Sequence, residues 1–172
     1  MANTFHPPFF QSAGADVFFR APLQGDRNVF VEASTPSSSV KFATVSDWAG
    51  GSPAAAADKL VAQYLGEFAS TRLGVRREGS VVSAASRTGE DGVEYVDTVI
   101  EVSSYSVEQQ YGVTALERGP QKQEWCRLLQ TTLGCANGRL YAMRLQCAKD
   151  DLAQCQPVFA TMQQSFRVFD AV

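Results

Sequence analysis

Asn137-Gly138, set between two apolar runs, constrains this chain more than any other feature. Asn-Gly flanked by strand-like segments is the strongest short-range signal for a β-hairpin. Glu124–Leu133 and Arg139–Ala148 flank Gly134-Cys135-Ala136-Asn137-Gly138. A turn centred between Ala136 and Asn137 predicts that Cys126 faces Cys147, Leu128 faces Leu145, Gln130 faces Met143 and Thr132 faces Tyr141. Strand side chains alternate, so these eight share one face, mostly apolar and expected to be buried. Opposed strand residues lie close enough for a disulfide, which makes Cys126–Cys147 a conditional pair. A register slip of one residue would abolish it.

The remaining segments fit around that hairpin. Ala15–Ala21, stopped by Pro22, and Asn28–Ala33 read as two short strands about a Gly25-Asp26 turn. Ser34–Ser39 is a polar connection, and Val40–Trp48 has no clear period. Ser52-Pro53 is a helix start, because Ser caps free amides and Pro fits the first helical position. Leu60, Val61, Tyr64, Leu65 and Phe68 then mark the stripe of an amphipathic helix over Ala54–Ala69. Glu78–Arg87 and Gly92–Ser103 are strand-like, with a glycine-bounded turn between them. Ser104–Gln121 reads as a long loop. A second helix is predicted over Gln154–Phe166, with Pro157 in its first turn and Val158, Phe159, Met162 and Phe166 as its stripe. The tail Phe166–Phe169 is expected either to add a strand or to pack on the sheet. This order predicts an α+β fold, a mainly antiparallel sheet covered by helices.

Met1–Gly14 reads as an irregular arm preceding one domain over residues 15–172. Phe5, His6, Phe9 and Phe10 lie in that arm with Pro7 and Pro8. Aromatics outside a core are candidates for docking to a partner. No charged and apolar leader is visible at the N-terminus.

With 172 residues the chain can bury roughly 70 % of its unfolded surface, so folding needs neither metal nor disulfide. A net charge of −3 argues against a generally basic nucleic-acid binder, and no apolar run reaches membrane-spanning length. His6 is the sole histidine, which removes the positioned imidazole of Ser-His and Cys-His catalysis from the predicted fold. The cysteines, Cys126, Cys135, Cys147 and Cys155, lack the tight Cys-x2–4-Cys pair of structural zinc sites. They read equally as disulfide partners in an oxidising compartment or as small buried thiols. No phosphate-binding glycine motif is present. Asp150-Asp151 and Glu90-Asp91 suit a helix start and a turn, and Arg72, Arg76 and Arg77 suit a helix end.

The C-terminal segments carry a family likeness. Asn137-Gly138-Arg139-Leu140-Tyr141, Gln146 on the same strand, and the closing Gln164-Ser165-Phe166-Arg167-Val168 resemble the end of PsbP-family proteins. Asn28–Ala33 resembles the family strand before its polar linker, and Ser52-Pro53 its helix start. The resemblance covers roughly Ala15 to Val168.

It implies an α/β/α sandwich located in the chloroplast thylakoid lumen, peripheral to the membrane, with no enzymatic activity. The implied role is an extrinsic subunit of photosystem II that stabilises the oxygen-evolving complex and helps retain calcium and chloride. Its partners would be membrane-embedded photosystem subunits and other extrinsic proteins, with no covalent cofactor and calcium as the ligand the family suggests. Paralogues bound to or assembling photosystem I or the chloroplast NDH complex are the second reading. A thiol–disulfide enzyme using Cys126 and Cys147 is the alternative of another class. An oxidising lumen would favour the Cys126–Cys147 bridge.

Overall fold

The computed structural model describes residues 15–22, 26–33, 42–67, 74–107, 114 and 119–169. The predicted arm, with Phe5, His6, Phe9 and Phe10, lies outside the described residues. The strands are β1 (Ala15–Arg20), β2 (Asn28–Ala33), β3 (Val75–Thr88), β4 (Glu94–Val107), β5 (Gln121–Ala136) and β6 (Arg139–Ala148). They form one sheet in the order β1-β2-β6-β5-β4-β3, every pair antiparallel. Two helices, α1 (Val45–Ala49) and α2 (Pro53–Glu67), come between β2 and β3. A single 3₁₀ turn, Lys149–Asp151, leads from β6 into α3 (Leu152–Ser165).

Alternation along the strands sorts the side chains onto two faces. Val96, Leu133 and Ala142 pack with Val45, Ala56 and Leu60 of the first helices. Ile100, Val102 and Leu129 pack with Tyr64 of α2. On the other face Leu128, Met143, Leu145 and Cys147 meet Cys155 and Phe159 of α3. The expected sandwich of helix, sheet and helix is therefore present.

Local chemistry explains most element ends. The Ser52 hydroxyl accepts the Ala55 N–H at 3.1 Å, so Ser52-Pro53 starts α2 as expected. The stretch without clear period holds α1, whose capping box joins Thr44 and Asp47. The Thr44 hydroxyl accepts from the Asp47 N–H at 3.1 Å, and the Asp47 carboxylate accepts from the Thr44 N–H at 2.9 Å. Lys59 binds α1 to α2, donating to the Trp48 carbonyl at 2.6 Å with its charge 4.9 Å from the Trp48 ring centre.

Two expectations change, and an open alternative is resolved. The segment expected to be a loop from Ser104 contributes Ser104–Val107 to β4, and β5 already begins at Gln121. Helix α3 starts at Leu152 and contains Pro157 beyond its first turn. Burial of Cys155 and Phe159 against the sheet outweighs the backbone hydrogen bond that proline removes. The tail adds no strand; it packs, with Val168 buried and its N–H donated to the Tyr95 hydroxyl at 3.0 Å.

The third change is one of register. Asn137 and Gly138 both take left-handed backbone angles, φ 52° and 70°. They are thus the two central residues of the turn, as the mirror-image hairpin turns require. Ala136 then pairs with Arg139, Leu128 with Cys147, Gln130 with Leu145 and Thr132 with Met143. Each partner is two residues from the one expected. Because the shift is even, the eight residues keep their common face while every partnership changes.

Candidate functional site

The register correction removes the strand pairing on which Cys126–Cys147 rested. The β5–β6 ladder ends at Arg127–Ala148, and Cys126 faces Ser103 of β4 instead. All four cysteines are free. Cys147 is fully buried, and burial, reinforced by the neighbouring Cys155, pushes its thiol up to about 12. Burial also raises Cys135, to about 11. A thiol exchange centre needs an accessible sulfur with a lowered pKa, the opposite of what surrounds Cys147. The proposed Cys126/Cys147 dithiol is not assembled.

Cys126, half-buried, lines a shallow groove of about 380 Å³ at the end of β5, with Asp26, Glu124, Trp125, Lys149 and Asp150. Charge of both signs surrounds it. Lys149 pairs with Glu101 at 2.7 Å, and that hydrogen bond raises its pKa. Arg127 pairs with Asp26, while Arg27 reaches Asp151 at 3.7 Å and Gln154 at 3.1 Å. The Trp125 ring lies near two guanidiniums, Arg127 at 4.3 Å and Arg77 at 5.6 Å from its centre. Such stacking immobilises both the aromatic and the cations. Among the described residues, no three Cys, His, Asp or Glu side chains converge on a possible cation position.

A second surface lies at the far edge of the sheet. Among the described residues, strand β1 has a hydrogen-bonded neighbour on one side only, β2. It exposes Val17, Phe18 and Phe19, the last at 65 %. Consecutive large apolar residues on this edge strand leave apolar side chains on both faces, between a register irregularity at Ala15/Val17 and the exposed Arg20. The Val17-Phe18-Phe19 run was visible in the sequence as a strand. Its lack of polar alternation places apolar side chains on both faces of β1, and their exposure is known only from the structure.

These two surfaces, a mixed-charge groove and an apolar edge, suit contact with another macromolecule better than enclosure of a small substrate. The PsbP family model matches residues 4–168, spanning both helical layers and the whole sheet. The chain belongs to the PsbP family. The match begins inside the predicted arm, upstream of the Ala15 boundary of the resemblance. Among curated proteins, the chain is similar to PsbP domain-containing protein 1, chloroplastic, of Arabidopsis thaliana. The two are 37 % identical over 158 residues, which cover 92 % of this chain and 54 % of that protein, so the chain spans about half its relative's length. The solution structure of cyanobacterial PsbP from Synechocystis superposes with a TM-score of 0.62 at 22 % identity, covering 93 % of this chain and 79 % of the other. That likeness concerns the fold.

Proposed function

We propose that this chain is a non-catalytic extrinsic protein of the chloroplast thylakoid lumen that docks on a membrane-embedded photosynthetic complex. In the first reading the complex is photosystem II, where the chain stabilises the oxygen-evolving complex and helps retain calcium and chloride. The family match across residues 4–168 carries this proposal, because it covers the whole folded region and not an isolated motif. The geometry supports it: Trp125 in a rim of paired charges and the exposed Phe18 and Phe19 offer the aromatic anchors and polar border of a protein interface. No helix among the described residues is long and apolar enough to cross a membrane, in keeping with peripheral attachment.

One observation favours a second reading. The 37 % identity is to a PsbP domain-containing protein, and in this reading the chain is a paralogue that binds or assembles photosystem I or the NDH complex. Both readings predict thylakoid association released by salt, since contacts through a charged rim are screened beyond a Debye length of about 8 Å at physiological ionic strength. The test is to affinity-isolate the tagged chain from gently solubilised thylakoids and identify its neighbours. Photosystem II subunits, with oxygen evolution lost on salt washing and restored by the added chain, establish the first reading. Photosystem I or NDH subunits establish the second. Recovery of the chain in the wash before any salt is added overturns both.

A further inference from the structure

Cys147 stands at the end of β6, and Cys155 lies in the opening turns of α3. One 3₁₀ turn separates the two elements, so the helix folds straight back over the end of the strand it follows. Strand alternation puts Cys147 on the α3 side with Met143 and Leu145. Helical spacing puts Cys155 on the same stripe as Leu152, Phe159 and Met162. The two sulfurs meet inside this apolar cluster, the Cys155 thiol within hydrogen-bonding reach of Cys147. Both residues are almost wholly buried.

Small buried thiols often serve only to fill space. Space-filling explains Cys135, which has no sulfur partner in its cluster of Val45, Leu133 and Leu140. It does not explain why two thiols from different elements converge on one point of the core. We propose that Cys147 and Cys155 are a disulfide-forming pair, a covalent staple that fastens α3 to the sheet when oxidised and leaves it to packing and hydrogen bonds when reduced. The proposal goes beyond the docking role and holds whichever complex is the partner.

The chemistry balances with a disulfide donor R–S–S–R, such as oxidised glutathione or the disulfide of an oxidoreductase. One cysteine thiolate attacks the donor, breaking its S–S bond, expelling RS⁻ and forming a mixed disulfide. The second thiolate attacks the protein sulfur of that mixed disulfide and expels the other RS⁻. The two protons from the cysteines end on two R–SH, the cysteine sulfurs are oxidised by two electrons, and the donor is reduced. Because both sulfurs are buried, the exchange occurs while α3 docks during folding or opens from the sheet.

The test uses the full chain, unfolded in reductant and refolded with an oxidising ratio of glutathione disulfide to glutathione. Remaining thiols are then alkylated and the protein is digested with trypsin without reduction. Cleavage after Lys149 separates the two cysteines, so a bridge links the peptide ending at Lys149 to the one beginning at Asp150. The expected result is that linked pair as the main product, with Cys126 and Cys135 alkylated. The oxidised protein should melt roughly 5–10 °C above the reduced protein, from the closure of so short a loop in a chain of this size. Cys155→Ala should abolish the difference. Alkylation of both Cys147 and Cys155 after oxidative refolding overturns the proposal, as does a bridge made through Cys126 or Cys135; the wild-type peptide map decides even if the variant fails to fold.

Discussion

The two faces of the sheet hold their helices by different means. On one, α2 lies on Ile100, Val102, Leu129 and Leu133 through Leu60 and Tyr64, largely hydrocarbon contacts to which Tyr64 adds a side-chain hydrogen bond with Arg127 of β5. Gly79 lets it approach closely; a Cβ there would lie 2.8 Å from Val61 Cγ1. On the other face, α3 buries Cys155 and Phe159 but is also tied by directional bonds near both ends. The Gln130 side-chain amide donates to Gln156 at 2.8 Å, and Arg87 donates to the Gln163 carbonyl at 2.7 Å. Arg87 is itself held by Asp97 at 2.7 Å, and Asp97 also accepts from Thr132 at 2.6 Å. Apolar burial supplies energy without direction, whereas hydrogen bonds in a low-dielectric interior fix position. Helix α2 is therefore held by area with a tie through Tyr64 to Arg127, and α3 by area plus directional bonds near both of its ends. The segment leading into α3 is also the one that carries the thiol pair.

The largest expected effect breaks the hydrocarbon side. Leu133 is fully buried beneath α1 and α2, and Leu133→Ala should lower unfolding free energy by about 2–5 kcal/mol through lost burial and a residual cavity. Urea denaturation followed by tryptophan fluorescence reads this directly, since Trp48 packs against the same cluster. A loss below about 1 kcal/mol, the range of a half-exposed site, would show that α1 and α2 do not depend on this packing.

Directional contacts on the opposite face come next. The Tyr95 hydroxyl donates to Asp91 at 2.5 Å and accepts the Val168 N–H at 3.0 Å, locking the tail after α3 onto the β3–β4 turn. Tyr95→Phe keeps the ring, which meets Phe166 edge-on at 6.1 Å between centroids, and removes only the hydroxyl. The buried Val168 N–H is left without its acceptor, at an expected loss of about 1–3 kcal/mol. Hydrogen exchange at Val168 should rise more than at Leu133 amides. Equal acceleration at both would mean that the tail is held by packing, erasing the contrast between the faces.

How much of this could be read in advance follows the range of each interaction. Ser52-Pro53 was legible because a cap is decided within three residues. The Thr44–Asp47 box is equally local, yet α1 was not expected, because the surrounding stretch shows no helical period. The Asn137-Gly138 hairpin was legible as an element, but its register depended on recognising that both residues, needing positive φ, must be the turn's centre. Ser104–Val107 read as loop together with the polar, Gly- and Pro-punctuated stretch that follows it, although Ser104-Tyr105-Ser106-Val107 itself alternates polar with apolar. In the structure Ser103 and Ser104 are buried polar positions, satisfied by Gln123 at 3.2 Å and Glu124 at 3.1 Å across the ladder. The placing of Cys147 and Cys155 in one cluster was beyond sequence reasoning, because it depends on how α3 folds back over β6. The exposed run Val17-Phe18-Phe19 could be seen, but which side of it is covered is a property of the assembled sheet.

The smallest effect sharpens the comparison by finding the same chemistry on both faces. Cys135, near α1, and Cys147, beneath α3, both have folded pKa values raised by burial above the ordinary 9.0, to about 11 and about 12. A raised value means that the folded state holds its proton while the unfolded thiol ionises first. The stability from each thiol is fully present below pH 9 and falls as pH rises from there toward the folded pKa. Under reducing conditions the loss should reach roughly 1 kcal/mol per thiol one unit above pH 9. Thermal unfolding between about pH 8 and pH 10 measures it, in wild type and in Cys135→Ala and Cys147→Ala. Each substitution should flatten part of the alkaline slope, and the pair together most of it. If Cys135→Ala leaves the slope unchanged while Cys147→Ala removes it, the sulfur on the α2 side ionises as freely folded as unfolded, and only the α3 face seals its thiol from water.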